Sequence, residues 1–421
     1  NSLLAIHHDQ MVSEPDGADY FDNATWHAHR VRAGEPGAVL ADLWSMTQRQ
    51  PLAYVPAVAL MSVIGGGDPA DVRSTTLVWA LLALVLVFCL GEELHSPAAG
   101  LLAAAVLAAM GFMGFSRVIW FDVPLTAATA AVALALLRTR GFATWRASAW
   151  CGVVTGLGLL VKVALPVCLL PLAAGYFLHA LLRSRRRWRV ALHAGLAALI
   201  ALALFATWAI PNVDGVLTAL HMARPEVISA VEGPLRIHYS TERFTHYLVT
   251  LPLSLAGPVI SALYLAGLAA LVRWNRRRAL TLTSLWLWGG LALLSFLFVP
   301  WTRYALPLSP AIALVVAVGA LAVPAIACRA AWSVPLGAAL LTAFAVQQTW
   351  LGPEAVWCAE ELPVDRPLCA GMVRPRRTGL TAPALGLTTP DSLYWVAVTP
   401  RHFEPEPAPP PFERPAAYIR W

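Results

Sequence analysis

Residues 183–210 read RSRRRWRVALHAGLAALIALALFATWAI: five arginines, then an apolar stretch from Val190 to Ile210 that carries no Asp, Glu, Lys or Arg. As a helix rising about 1.5 Å per residue, that stretch is long enough to cross the roughly 30 Å hydrocarbon layer of a membrane. Guanidinium groups are costly inside that layer, so the arginines mark the end kept on the cytoplasmic side. The pattern recurs along the chain. Apolar stretches that span or nearly span lie at about 74–91, 97–115, 121–137, 147–161, 163–181, 190–210, 248–272, 281–299, 304–325 and 331–347. Some are shorter than the roughly 20 residues a crossing helix prefers, and the pair around Lys162 could form one bent unit. The fold class expected is an all-α polytopic membrane protein with about ten transmembrane helices.

Composition agrees. Of 421 residues, 58% are hydrophobic and 13% charged, with mean hydropathy +0.63, which excludes an ordinary soluble domain. The net charge of +6 does not point to nucleic acid, because the basic residues sit in short runs between apolar stretches. Arg138, Arg140 and Arg146 form one such loop, Arg183 to Arg189 a second, and Arg273, Arg276, Arg277 and Arg278 a third. With these loops cytoplasmic, alternation places the stretch before residue 74, the Arg117–Asp122 turn, the Lys162 turn, the 211–247 loop, the Trp301–Arg303 turn and the tail on the opposite, external face. That count requires 51–64 not to cross. Pro51 and Pro56 within so short a segment favour a helix lying in the interface or folded back.

Three regions follow: 1–73, a first external loop with interfacial helices; 74–347, the transmembrane helices; and 348–421, a small external C-terminal domain ending in a Pro-rich run from Glu404 to Pro415. The chain opens on a short apolar scrap, Leu3 to Ile6, and a further N-terminal span is expected upstream. Cys89, Cys151, Cys168 and Cys328 lie in or beside apolar stretches and read as small hydrophobes. Cys358 and Cys369 fall in the external tail, where a disulfide is permitted; two free thiols are the alternative.

The acids carry the functional argument. Asp16, Asp19 and Asp122 fall at segment ends on the same, external face. Carboxylates beside hydrocarbon tend to be kept for a task. Each has a plainer reading: Asp16 and Asp19 as solvated loop acids or helix caps, and Asp122 as the N-cap of a helix with Pro124 in its first turn. Lys162 and Arg303 sit at interfacial turns, where snorkelling to headgroups is the ordinary role.

Four motifs bear a family resemblance. Asp16-Gly17-Ala18-Asp19-Tyr20-Phe21 is followed by Gln50-Pro51-Leu52; Arg117 to Leu125 reads RVIWFDVPL; Gly156 to Lys162 reads GLGLLVK; and Arg303 to Pro310 reads RYALPLSP. In order and spacing the set resembles the GT-C superfamily of polyprenyl-phosphate-sugar-dependent glycosyltransferases, which includes protein O-mannosyltransferases and lipid A aminoarabinose transferases. The family's corresponding patterns are DExxY in the first external loop, then DxPL, GLxxLxK and RYxLPxxP. Gly17 replaces the second acid of the first pattern, which leaves Asp19 as its substitute.

The resemblance implies a multi-pass protein of the inner membrane with its site on the external or periplasmic face. Its donor would be a polyprenyl-phosphate hexose or pentose, and its acceptor a lipid, glycan or protein. Asp16, Asp122 and Asp19 would be the catalytic acids. Lys162, Arg303, Arg49 and Arg243 would serve the donor phosphate, and Tyr20, Tyr304, His246 and Tyr247 the substrate pocket. The chemistry suits these residue types, since a glycosyl phosphate reacts when its leaving phosphate is steadied by cations and the acceptor hydroxyl meets a base. No cofactor is certain; a divalent metal held by His238 or His246 with Asp16 is the possible one. A non-enzymatic transporter or flippase of a lipid-linked substrate is the second reading. Such proteins place polar groups and broken helices near mid-membrane, whereas the charges here gather at segment ends.

Overall fold

The structure, a computed structural model, describes residues 15–45, 50–64, 69–116, 121–214, 241–297 and 302–323. Among them every regular element is helical. The chain opens with α1 (Pro15–Arg32), α2 (Pro36–Ser45) and α3 (Pro51–Ile64), which pack on one another. α4 (Pro69–Leu94), α5 (Pro97–Ala109) and the short α6 (Phe112–Phe115) lead to α7 (Asp122–Arg138). α8 (Trp145–Val161), α9 (Leu165–Arg183) and α10 (Arg187–Ala209) follow.

After residue 240 come α11 (Thr241–Thr250), a π-helical segment (Leu251–Ala256) and α12 (Gly257–Arg273). Next are α13 (Arg277–Ser284), a second π segment (Leu285–Gly289) and α14 (Gly290–Leu297), then a 3-10 helix (Thr302–Leu308) running into α15 (Ser309–Ala322). Among the described residues, four stretches are long and apolar enough to cross a membrane: Ser74–Leu94, Leu165–Arg183, Arg187–Ala209 and Arg303–Ala322. The expected tenth span at 331–347, the 348–421 domain and the Cys358–Cys369 pair lie outside the described residues.

α7 and α15 form the middle of the bundle. Nearly every side chain of α7 is buried, small Ala and Thr residues letting α4, α8 and α9 approach it on all sides. α15 is buried almost as fully, and Gly267 of α12 meets Gly319 of α15 backbone to backbone. α10 instead keeps Leu192, Leu199 and Leu202 exposed along its outer side.

Tertiary contacts fix which ends lie together. The Phe142 carbonyl receives a hydrogen bond at 2.8 Å from Nδ1 of His193, and the Gly141 N–H donates to the Tyr176 hydroxyl at 2.9 Å. Arg278 reaches Glu93 at 3.8 Å. The three arginine loops therefore share one end of the bundle. Tyr176 returns α9 to the level of residues 137–141, so α8 and α9 are two antiparallel passes rather than one bent unit. Residues 51–64 do form a helix, with Pro51 at its start and Pro56 inside it.

The stretches at 248–272 and 281–299, expected as plain spans, are each interrupted by a π segment. The first widens the turn beside Pro252 and ends at Gly257, whose φ of 75° favours glycine. The freed Leu255 carbonyl accepts from the Gly111 N–H at 2.8 Å, tying the end of α5 to this kink.

Candidate active site

α7 begins where its sequence permits. An acid in the first turn favours the positive end of the helix dipole, and Pro124 occupies a position whose N–H needs no partner. Asp122 is not the N-cap expected from the sequence. Phe121 holds that position, with no side-chain cap, and Asp122 is the first helical residue. Its carboxylate is turned to a different partner.

That partner comes from the end of α8. Lys162 caps this helix in an extended conformation, φ −157° and ψ 128°. Gly158, one turn earlier, is where α8 closes on its neighbours: a Cβ there would meet Leu165 at 2.9 Å and Ala128 of α7 at 3.6 Å. This close approach brings Nζ of Lys162 to 2.6 Å from Oδ1 of Asp122. The Asp122 side chain is 4% exposed and that of Lys162 21%, so each charge depends on the other for its solvation.

The 3-10 helix supplies the next wall. Thr129 of α7 donates to the Pro307 carbonyl at 3.2 Å and fixes the two elements together. The Tyr304 ring lies 5.5 Å from Nζ of Lys162 and 5.5 Å from Cζ of Arg303, so one aromatic ring meets two cations. Arg303 is 5% exposed. Lys162, held by Asp122, and Arg303 thus share one ring in a largely dry place.

On the other side, Tyr20 of α1 stacks on Phe121, centroids 3.9 Å apart and planes 13° from parallel. Tyr54 of α3 sets its edge against both, at 5.8 Å from Tyr20 and 5.0 Å from Phe121. The three rings clamp the first-loop helices to the residue just before Asp122. Asp16 is four residues before Tyr20 on α1 and so shares its helical face.

Asp122, Lys162, Arg303, Tyr304 and Tyr20 thus come together at the end of the bundle opposite the arginine loops. The side chains of Asp16, Asp19 and Arg243 lie outside the described residues, as does Arg49; Asp16 and Asp19 are placed on α1, and Arg243 on α11, by backbone alone. α11 packs against α14 and the 3-10 helix. On it Tyr247 is fully buried and His246 half-buried, their rings 5.6 Å apart. Nε2 of His246 is buried without a hydrogen-bond partner, and burial holds the imidazole below its ordinary pKa.

Among the described residues no three His, Cys, Asp or Glu side chains are grouped as a metal needs; His238 and the Asp16 carboxyl are not among them. Tyr54 and Phe121 were not singled out in the sequence. Phe121 sits inside the quoted Arg117–Leu125 motif, but nothing in that motif points to a partner ring on another helix.

Residues 49–210 match the family described as dolichyl-phosphate-mannose-protein mannosyltransferase. No curated protein sequence matches the chain significantly. Among solved structures, ArnT from Cupriavidus metallidurans in the apo state has TM-score 0.57 and 16% identity, over 91% of this chain and 64% of that one. The same protein bound to undecaprenyl phosphate gives TM-score 0.55 and 16% identity, over 87% and 68%. The chain therefore spans less than two thirds of the apo relative's length, and at this identity the likeness is one of fold. The matched family segment contains Asp122 and Lys162, and the fold likeness, over 91% of the chain, extends past it. The family match agrees with the resemblance read from the Arg117–Leu125 and Gly156–Lys162 motifs, and the solved structures agree with it in fold.

Proposed function

We propose that this GT-C-type membrane protein is a glycosyltransferase that moves a sugar from a polyprenyl-phosphate carrier to an acceptor hydroxyl or amine on the external face of the membrane. The observation that carries the reading is the Asp122–Lys162 pair at 2.6 Å beside Tyr304 and the buried Arg303. Two cations that share one aromatic ring, one of them held by a carboxylate, suit a phosphate that must be bound and later released. The donor phosphate competes with Asp122 for Lys162, and Arg303 forks to the phosphate oxygens.

In the reaction the bond from the sugar's anomeric carbon to the phosphate oxygen breaks and a bond from that carbon to the acceptor oxygen or nitrogen forms. The acceptor proton passes to a carboxylate, and polyprenyl phosphate leaves. Asp16 is the preferred base, because Asp122 is already committed to Lys162; Asp122 ranks second and Asp19 third. Tyr20 anchors α1, which carries Asp16, to this end of the bundle. The hexosyl or pentosyl identity of the donor, and the lipid, glycan or protein nature of the acceptor, belong to pocket shape.

The test supplies membranes containing the full chain with radiolabelled polyprenyl-phosphate sugars, one at a time. Movement of label from carrier to acceptor, abolished by Asp16→Asn, supports the reading. Label that crosses the membrane still attached to its carrier would instead identify a transporter.

A further inference from the structure

The opposite end of the bundle holds a second charged surface, for which the transferase reading has no use. Between Asp122 and Asp214 the chain contains no Asp or Glu, while the loops at 138–146 and 183–189 contain eight arginines. All eight are exposed, and none makes an ion pair among the described residues. The hydrogen bond between His193 and Phe142 ties the two loops into one patch.

The patch is layered. α8 and α10 run parallel and touch through Gly152 against Ala197 and Gly156 against Ala201. In that register Trp145 and Trp188, at the starts of the two helices, differ in height by about two residues, roughly 3 Å. Both indoles are exposed, 57% and 64%. Each carries its neighbour's guanidinium: Cζ of Arg146 is 5.5 Å from the Trp145 ring and Cζ of Arg189 5.5 Å from the Trp188 ring. Further into the apolar part of the same helices come exposed Trp150 and Leu192. Arginine, then indole, then aliphatic side chain is the order of phosphate, interface and hydrocarbon in one leaflet.

We infer that the basic ends of α8 and α10 form a binding site for the headgroup of an anionic phospholipid. A guanidinium stacked on an indole keeps its N–H edge turned outward, where it can fork to a phosphodiester. A cluster of eight positive charges with no acidic partner among the described residues favours an anionic headgroup over a zwitterionic one. The exposed Trp150 and Leu192 accept the acyl chain, which a nucleic acid or an acidic peptide lacks. The site lies at the opposite end from Asp122 and stands whether or not the transferase reading does.

The test reconstitutes the full chain in vesicles and compares quenching of tryptophan fluorescence by brominated-chain phosphatidylglycerol and brominated-chain phosphatidylcholine. The signal from this site is the part lost in the Trp145→Phe/Trp188→Phe protein. That part should be quenched preferentially by the anionic lipid. The preference should fall roughly fivefold for each arginine removed in Arg146→Gln and Arg189→Gln, following about 1 kcal/mol per basic residue at a charged surface. Arg146→Lys/Arg189→Lys, which keeps the charge, should retain most of the preference and serves as the folding control. Equal quenching by the two lipids, or a preference that survives Arg146→Gln/Arg189→Gln, would overturn the site. So would displacement of the bound lipid by RNA.

Discussion

The two ends of the bundle handle charge in opposite ways. At one end the Asp122 carboxylate holds Lys162 at 2.6 Å, Arg303 is buried beside them, and both cations share the Tyr304 ring. At the other end, arginines of two loops stand exposed with no carboxylate partner among the described residues. The arginines remain in water and interact with whatever surface lies beside them, so each contributes little to the fold. The buried charges have lost their water and depend on specific neighbours, so removing one partner is strongly destabilising even where the pair itself adds little net stability.

The sharpest way to break this comparison is topological, because the outcome is all or none. Cysteines introduced into the 211–247 loop should react with an impermeant maleimide added to intact cells, and cysteines among residues 185–187 or 276–278 should not. Labelling of the arginine loops from outside would invert the orientation and move the candidate site to the wrong face.

Turnover is the next measure. Asp16→Asn keeps the side-chain shape and removes the base, so kcat should fall by at least about a hundredfold with donor binding nearly unchanged. Lys162→Ala and Arg303→Ala should raise the donor Kd as well as lower kcat, each by roughly ten- to a hundredfold, because a phosphate partner is lost in ground and transition states alike. Full activity of both Asp16→Asn and Asp122→Asn would turn the balance toward a transporter.

Stability separates the ends directly. Asp122→Ala strands the Lys162 ammonium and should cost about 3–5 kcal/mol in unfolding followed in detergent micelles. Arg185→Ala at the other end should change it by no more than about 0.5 kcal/mol. Equal effects would mean that the ion pair is no more than a surface contact.

The smallest effect is a pH dependence. Burial lowers the folded-state pKa of His246, so on acidification the unfolded chain takes up a proton that the folded one resists. The stabilisation is therefore present above the ordinary histidine pKa and declines as the pH falls through it. His246→Phe should flatten that slope in a pH series of melting curves, and an unchanged slope would assign it to another group.

Much of this was legible beforehand for a definite reason. A bilayer demands long apolar helices and penalises charge within them, so the helices, the arginine ends and the sharing of one end by Asp122, Lys162 and Arg303 can be read from order alone. The π segments at 251–256 and 285–289 escaped notice, because Pro252 and Gly289–Gly290 inside apolar runs could equally have been packing residues. The sequence leaves Asp122 open between N-cap and site residue, because Asp-Val-Pro at a helix start fits a cap and the partner that decides against it lies 40 residues away.

The sequence by itself determined the class, the two charged ends and the motif residues, since each follows from local composition set against the dielectric of a membrane. Only the tertiary structure decided that Asp122 pairs with Lys162, that Tyr20 stacks on Phe121, and that Tyr304 stands between two cations. Those contacts join helices far apart in the chain, and they exist because glycines such as Gly158 let backbones approach closely enough for short side chains to meet.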